Sequence, residues 1–201
     1  MMTNKAIYDF LTKDENLQFA IELCDELDQF QTEMHKLFWT KYNELMATKL
    51  ADSGFGNDWW FEPYNLRRLN RGWEKSWLTP NIDDTKRLVI YIAFLQESRD
   101  TNFRLSYSLH WNKRNSEVNF DSPTLLKLKA MLASYKINIP GEWEIMWGFS
   151  QWRVFDVDFL LGIYKNTDVF CQTIVDYNWK MFLELRPLME TINQEVAHIK
   201  K

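Results

Sequence analysis

Leu88-Val89-Ile90-Tyr91-Ile92-Ala93-Phe94-Leu95 and, after the polar stretch Gln96 to Asn102, Phe103-Arg104-Leu105-Ser106-Tyr107-Ser108-Leu109-His110-Trp111 decide how this chain is read. The first run is β-branched and aromatic, too short for a membrane span and without the spaced polar face of a surface helix. It predicts a strand covered on both faces in the middle of a sheet. The second puts every large apolar residue at an odd position and Arg104, Ser106, Ser108 and His110 at even ones, the alternation of an antiparallel partner with one wet face. Each odd side chain buries about 1.5–3 kcal/mol of transfer energy, so a charge at Leu105 or Tyr107 is expected to unfold the domain.

Working outward, Asn57 to Tyr64, with Trp59-Trp60-Phe61, reads as an edge strand ended by Pro63, and a second strand is expected around Gly72. Ser122-Pro123 supplies an N-cap with proline at the first helical position for a helix over Thr124 to Tyr135. Trp143 to Phe149 reads as a further strand. Toward the N-terminus, a short helix over residues 3–12 precedes a long one from Asp14, whose apolar positions Leu17, Ala20, Cys24, Leu27, Met34, Phe38 and Leu45 step by three and four. Its opposite side is acidic and rich in amides, and the glycines at 54 and 56 end it. At about 50 Å it is longer than a small domain needs, so it either kinks or protrudes. At the other end, Phe159 to Tyr164 makes a short helix, and Asp168 can cap a long one that Pro187 should kink or restart.

The expected fold is therefore α+β: an antiparallel sheet of about five strands with helices on one face and two long terminal helices packed antiparallel. One domain over 1–201 is expected, with the long helix at about 14–52, the sheet region at about 57–152 and the C-terminal helices at about 157–200. Intramolecular packing of the long helices is the simplest arrangement, and a homodimer or partner coiled coil is the alternative.

Composition narrows the function classes. The 201 residues are 46% hydrophobic and 16% aromatic, with no stretch near the roughly 18 apolar residues of a membrane helix. Met1 to Phe10 shows no charged-then-apolar signal and no small-residue cleavage site, so export is not expected, and the two distant cysteines, Cys24 and Cys171, read as core thiols in a reducing cytoplasm. The net charge of −4 conceals an asymmetry, since residues 1–53 carry 5 basic against 10 acidic side chains and residues 54–153 carry 14 against 11. Such acidity does not favour nonspecific nucleic-acid binding.

No phosphate-binding glycine pattern, C-x-x-C or H-E-x-x-H occurs, so no cofactor and no metal are expected. Glu142 with Glu144 and Asp156 with Asp158 read as a solvated strand face and a helix start. Ser106, Ser108 and His110 share a strand face with Arg104 in a geometry compatible with nucleophilic chemistry, though an exposed polar face accounts for them as well. The ten tryptophans exceed what the core needs. Trp59, Trp60, Arg67, Arg68, Arg71, Trp73, Lys75 and Trp77 form a basic and aromatic segment suited to a protein partner, where Trp and Arg are favoured anchors, or alternatively to nucleic acid.

Leu37-Phe38-Trp39 in the long helix, the spaced Trp73 and Trp77, and the paired central strands together resemble the region C-terminal to the catalytic core in some bacterial PD-(D/E)XK-superfamily nucleases. The resemblance implies a stand-alone relative of an accessory domain, of the sort met in restriction, phage or mobile-element settings. That family's catalytic Glu-x-Lys occurs nowhere here, so no catalytic residue carries over. The expectation is a cytoplasmic, non-catalytic protein-interaction module, probed by mutating Arg68, Trp73 and Trp77.

Overall fold

The computed structural model describes residues 5–68, 74–82, 88–96, 104–114, 117–118, 120–142, 144–154 and 156–198. The elements are α1 (Lys5–Leu11), α2 (Asp14–Asp52), β1 (Trp59–Glu62), β2 (Glu74–Pro80), β3 (Ile90–Gln96), β4 (Arg104–Trp111), α3 (Pro123–Ser134), β5 (Glu144–Arg153) and α4 (Val157–Glu195), with a 3-10 turn at Leu66–Arg68. The strands lie in sequence order and every neighbour is antiparallel. The central pair is in register as its alternation demands, with Phe94 opposite Tyr107 and Ile92 opposite Leu109.

The face carrying Leu78, Ile92, Phe94, Leu105, Tyr107 and Leu109 is covered by helices, in keeping with the expected α+β class. Tyr42 of α2 packs on Phe94 at 5.2 Å, and Tyr177 of α4 approaches Tyr107 at 6.0 Å. Polar groups tie the layers together. Trp39 donates its indole N–H to Gln96 Oε1 at 2.8 Å, and Asn193 uses its side-chain amide to accept from the Ile90 N–H at 2.8 Å and donate to the Ile90 carbonyl. Ser122 caps α3 as its sequence predicts, accepting from the Leu125 N–H at 3.1 Å.

Three expectations are corrected. The long helices run parallel, not antiparallel: Lys41 pairs with Asp168 at 2.7 Å and, further along both helices, Lys49 pairs with Asp176 at 2.8 Å. The strand count explains it. With an odd number of antiparallel strands between them, two helices that turn back sharply at the sheet's ends must point the same way. The break in α4 falls at Asn166 (φ −160°, ψ 81°) and not at Pro187. There the chain doubles back far enough to bring Phe170 against Phe159 at 5.1 Å, and Asn166 Oδ1 caps the second segment by accepting from the Val169 N–H, the role expected of Asp168. Pro187 is tolerated because it and Leu183, whose carbonyl it frees, lie on the exposed side where water can serve.

The third correction concerns β4. Ser106, Ser108 and His110 do not form a wet face; all three are buried, because Tyr91 stacks on His110 and Gly141, Glu142, Glu144 and Trp147 crowd the two serines. Cys24 and Cys171 are unpaired; Cys24 is exposed and not the core thiol expected, while burial pushes the Cys171 thiol up to about 12, which leaves it inert packing.

Candidate functional site: an open sheet face and a bare helical arm

Paired residues of an antiparallel sheet share a face, so the register lays out what the side away from the helices carries. One row runs Glu62, Trp77, Ala93, Ser108 and Trp147, and a second runs Lys75, Leu95, Ser106 and Phe149. Tyr91 and His110 stand beside them. Trp60, Lys75 and Trp77 of the basic-aromatic segment thus share one face of the sheet with the polar residues of β4, of which Ser106, Ser108 and His110 are buried.

Its chemistry is cationic and aromatic. Lys75 Nζ lies 4.7 Å from the Trp77 ring and 5.6 Å from the Tyr91 ring, Tyr91 stacks on His110 at 5.1 Å, and the Arg104 guanidinium sits 4.1 Å over Phe149. Ser108 Oγ lies 2.6 Å from His110 Nε2. Ser106 and Ser108 floor a depression of about 230 Å³ walled by Glu142, Glu144 and Trp147. A hydroxyl bonded to an imidazole is half of a nucleophilic site. Ser108 is only 1% exposed, however, and an electrophile has almost no route to it. Glu142 forms an ion pair with Arg114 at 3.1 Å, Asp156 is the N-cap residue of α4, and Asp158 lies in its first turn. Among the described residues no three His, Cys, Asp or Glu side chains gather as a metal site requires, and no helix is long and apolar enough to cross a membrane.

The basic-aromatic segment is only partly the surface its composition predicts. Trp60 is 58% exposed, Arg67 is exposed, and Lys75 and Trp77 are half-buried on the open face. Trp59 is 1% exposed: it packs edge-on against Phe182 at 4.9 Å and donates to Glu190 Oε1 at 2.9 Å. A period of two turns Trp59 and Phe61 toward the helices whenever Trp60 faces out, so Trp59 is a core anchor and not a partner contact. Arg71, Trp73 and the Arg68 side chain lie outside the described residues.

The most exposed apolar surface lies elsewhere, along the N-terminal part of the long helix, which was expected either to kink or to protrude. Burial along α2 begins only at His35. Before it, Leu17, Phe19, Ile21, Leu23, Leu27 and Phe30 are each 39–60% exposed, and α1 has no buried residue. From Asp14 to Glu33 this arm spans about 30 Å. The second segment of α4 pairs with α2 from Phe38 onward, where Cys171 Sγ reaches the Phe38 carbonyl at 3.9 Å, and the first reaches back only to Phe30, which Tyr164 meets at 6.4 Å. The clue in the sequence is length, since an amphipathic helix that outruns its partner exposes its stripe. No family model, no curated protein and no solved structure matches the chain.

Proposed function

We propose that this chain is a non-catalytic protein-interaction module that engages its partner through the helical arm formed by α1 and the first half of α2. One observation carries the reading: a run of large apolar side chains, including Phe19, Leu23 and Leu27, that stay half-exposed along about six turns of α2. Contiguous apolar surface of this kind, in a chain none of whose described helices is long and apolar enough to cross a membrane, marks a site where something else docks. The open sheet face, with Trp60, Lys75 and Trp77, is a second contact region of the same module. A cytoplasmic setting belongs to the proposal and is supported by the two unpaired thiols. The likeness to nuclease accessory regions belongs to it as well, with any chemistry supplied by the partner.

The test is affinity capture from host lysate, with and without nuclease treatment, comparing the wild-type chain with Phe19→Ser/Leu23→Ser/Leu27→Ser. These positions are exposed, so the melting temperature should hold while the captured protein is lost. Capture that persists in the triple variant would show that the arm is not the docking element. Capture that disappears only on nuclease treatment, and with Lys75→Ala, would favour nucleic acid on the basic-aromatic face instead.

A further inference from the structure

The folded half of α2 packs one side on the sheet, where Tyr42 meets Phe94, and another side on α4, and the charges flanking the α4 contact show how two helices recognise each other here. Where α4 lies beside α2, the cations sit on α2 and the anions on α4, as Lys41 with Asp168 and Lys49 with Asp176. On the arm that polarity is inverted. From Asp14 to Met34 α2 has no lysine or arginine, but seven acidic residues, among them Glu22, Asp25, Glu26 and Asp28. At about 100° per residue, Leu23, Leu27 and Phe30 fall on one side, with Leu17 and Cys24 adjoining them, and Glu22, Asp25 and Glu26 bound the stripe on the far side.

From this inversion we infer that the arm binds a cationic amphipathic helix of a partner protein, one that lays leucine-like side chains along the stripe and brings lysine or arginine to the acidic border. The inference rests on the interaction reading above and names its partner class. A second copy of this chain fits poorly, because pairing two arms would set seven carboxylates against seven with no α2 cation between them before Lys36. Over the roughly 8 Å across which charges act at physiological salt, Lys36 offsets Glu33, which it meets at 2.6 Å, while Glu22, Asp25 and Glu26 of each arm would still face like charges. An anionic membrane surface is disfavoured by the same charges.

The probes are two synthetic helices of about 20 residues, long enough to span the arm, one of leucine and lysine and the other of leucine and glutamate with the same apolar face. Fluorescence anisotropy with the full chain should show binding of the lysine helix, weakening with added salt, and no binding of the glutamate helix. Phe19→Ser/Leu23→Ser/Leu27→Ser should weaken it by at least about tenfold, the loss of roughly 1.4 kcal/mol of contact. Glu22→Lys/Asp25→Lys/Glu26→Lys should exchange the preference between the two helices. The inference is overturned if both helices bind alike, if the lysine helix binds the triple-serine variant as well as wild type, or if the chain sediments as a dimer that this variant dissociates. Peptide failure with lysate capture still dependent on Phe19, Leu23 and Leu27 would overturn only the cationic-helix assignment. Lysate capture that ignores those residues would overturn the interaction reading as well.

Discussion

Asn43 and Asn193 do the same job from two different helices. Asn43 accepts from the Tyr64 N–H at 3.0 Å and donates to the Tyr64 carbonyl at 3.1 Å, and Asn193 holds Ile90 in the same way. Each amide thereby satisfies both polar groups of a backbone residue that has left its strand or has yet to complete its ladder. Tyr64 so held stacks on Trp39 at 4.0 Å, and Trp39 in turn donates to Gln96. None of this was legible beforehand, because an asparagine within a helix stripe reads the same whether it faces water or a buried carbonyl. Tyr107 is the opposite case, with a hydroxyl that is buried without a partner and a phenol that burial holds well above its ordinary range. Two substitutions should therefore separate in chemical denaturation. Gln96→Leu strands the Trp39 N–H in the core and is expected to lose about 1–3 kcal/mol. Tyr107→Phe removes a hydroxyl that makes no bond, so stability should hold or rise by up to about 1 kcal/mol. Equal losses in both would mean that the Tyr107 hydroxyl is bonded after all.

At the scale of elements, the strands were readable and their surroundings were not. Period-two alternation fixed β4 to within a residue and placed β3 beside it, because apolar spacing in a strand depends only on which face is covered. It could not reveal that the other face is crowded too, since small polar residues such as Ser106 and Ser108 suit a tight fit beneath a loop as well as they suit water. Helix direction was beyond reach for a different reason: it depends on the parity of the strand count, and one uncertain strand reverses it. The joint between α3 and β5 is equally contextual. Lys136 adopts a positive φ of 62° to end the helix, and Gly148 of β5 lies so close that an added Cβ would stand 2.2 Å from the Lys136 carbonyl oxygen and 2.8 Å from Ile137 Cα. Both obstacles are backbone, so neither can swing aside. Gly148→Ala should cost about 1–3 kcal/mol by forcing the strand off the helix exit. A thermal melt indistinguishable from wild type would mean that the joint yields more readily than its geometry implies.

Across the whole molecule, the buried core and the exposed apolar arm occupy separate regions. The core cluster begins in α2 at Phe38 and ends just past α4 at Val196, and the arm contributes nothing buried to it. Removing residues 1–32 is expected to leave the melting temperature within a few degrees of wild type, since a degree or two reflects only a fraction of a kcal/mol at this chain length. A larger fall would place part of the core in the arm. The linear strand order has a consequence for the nascent chain. Each strand pairs with one already made, so the meander can zip up locally as it leaves the ribosome, by the short-range contacts that favour fast folding. Yet the apolar side of that sheet faces α4, and Leu185, Met189 and Ile192 are translated after every strand. Until they emerge the sheet lacks the cover of α4, and Leu109, Ile92 and Leu78 stand open to other chains. Synthesis that pauses before α4 therefore leaves the protein at its most prone to aggregation, although every strand has been made.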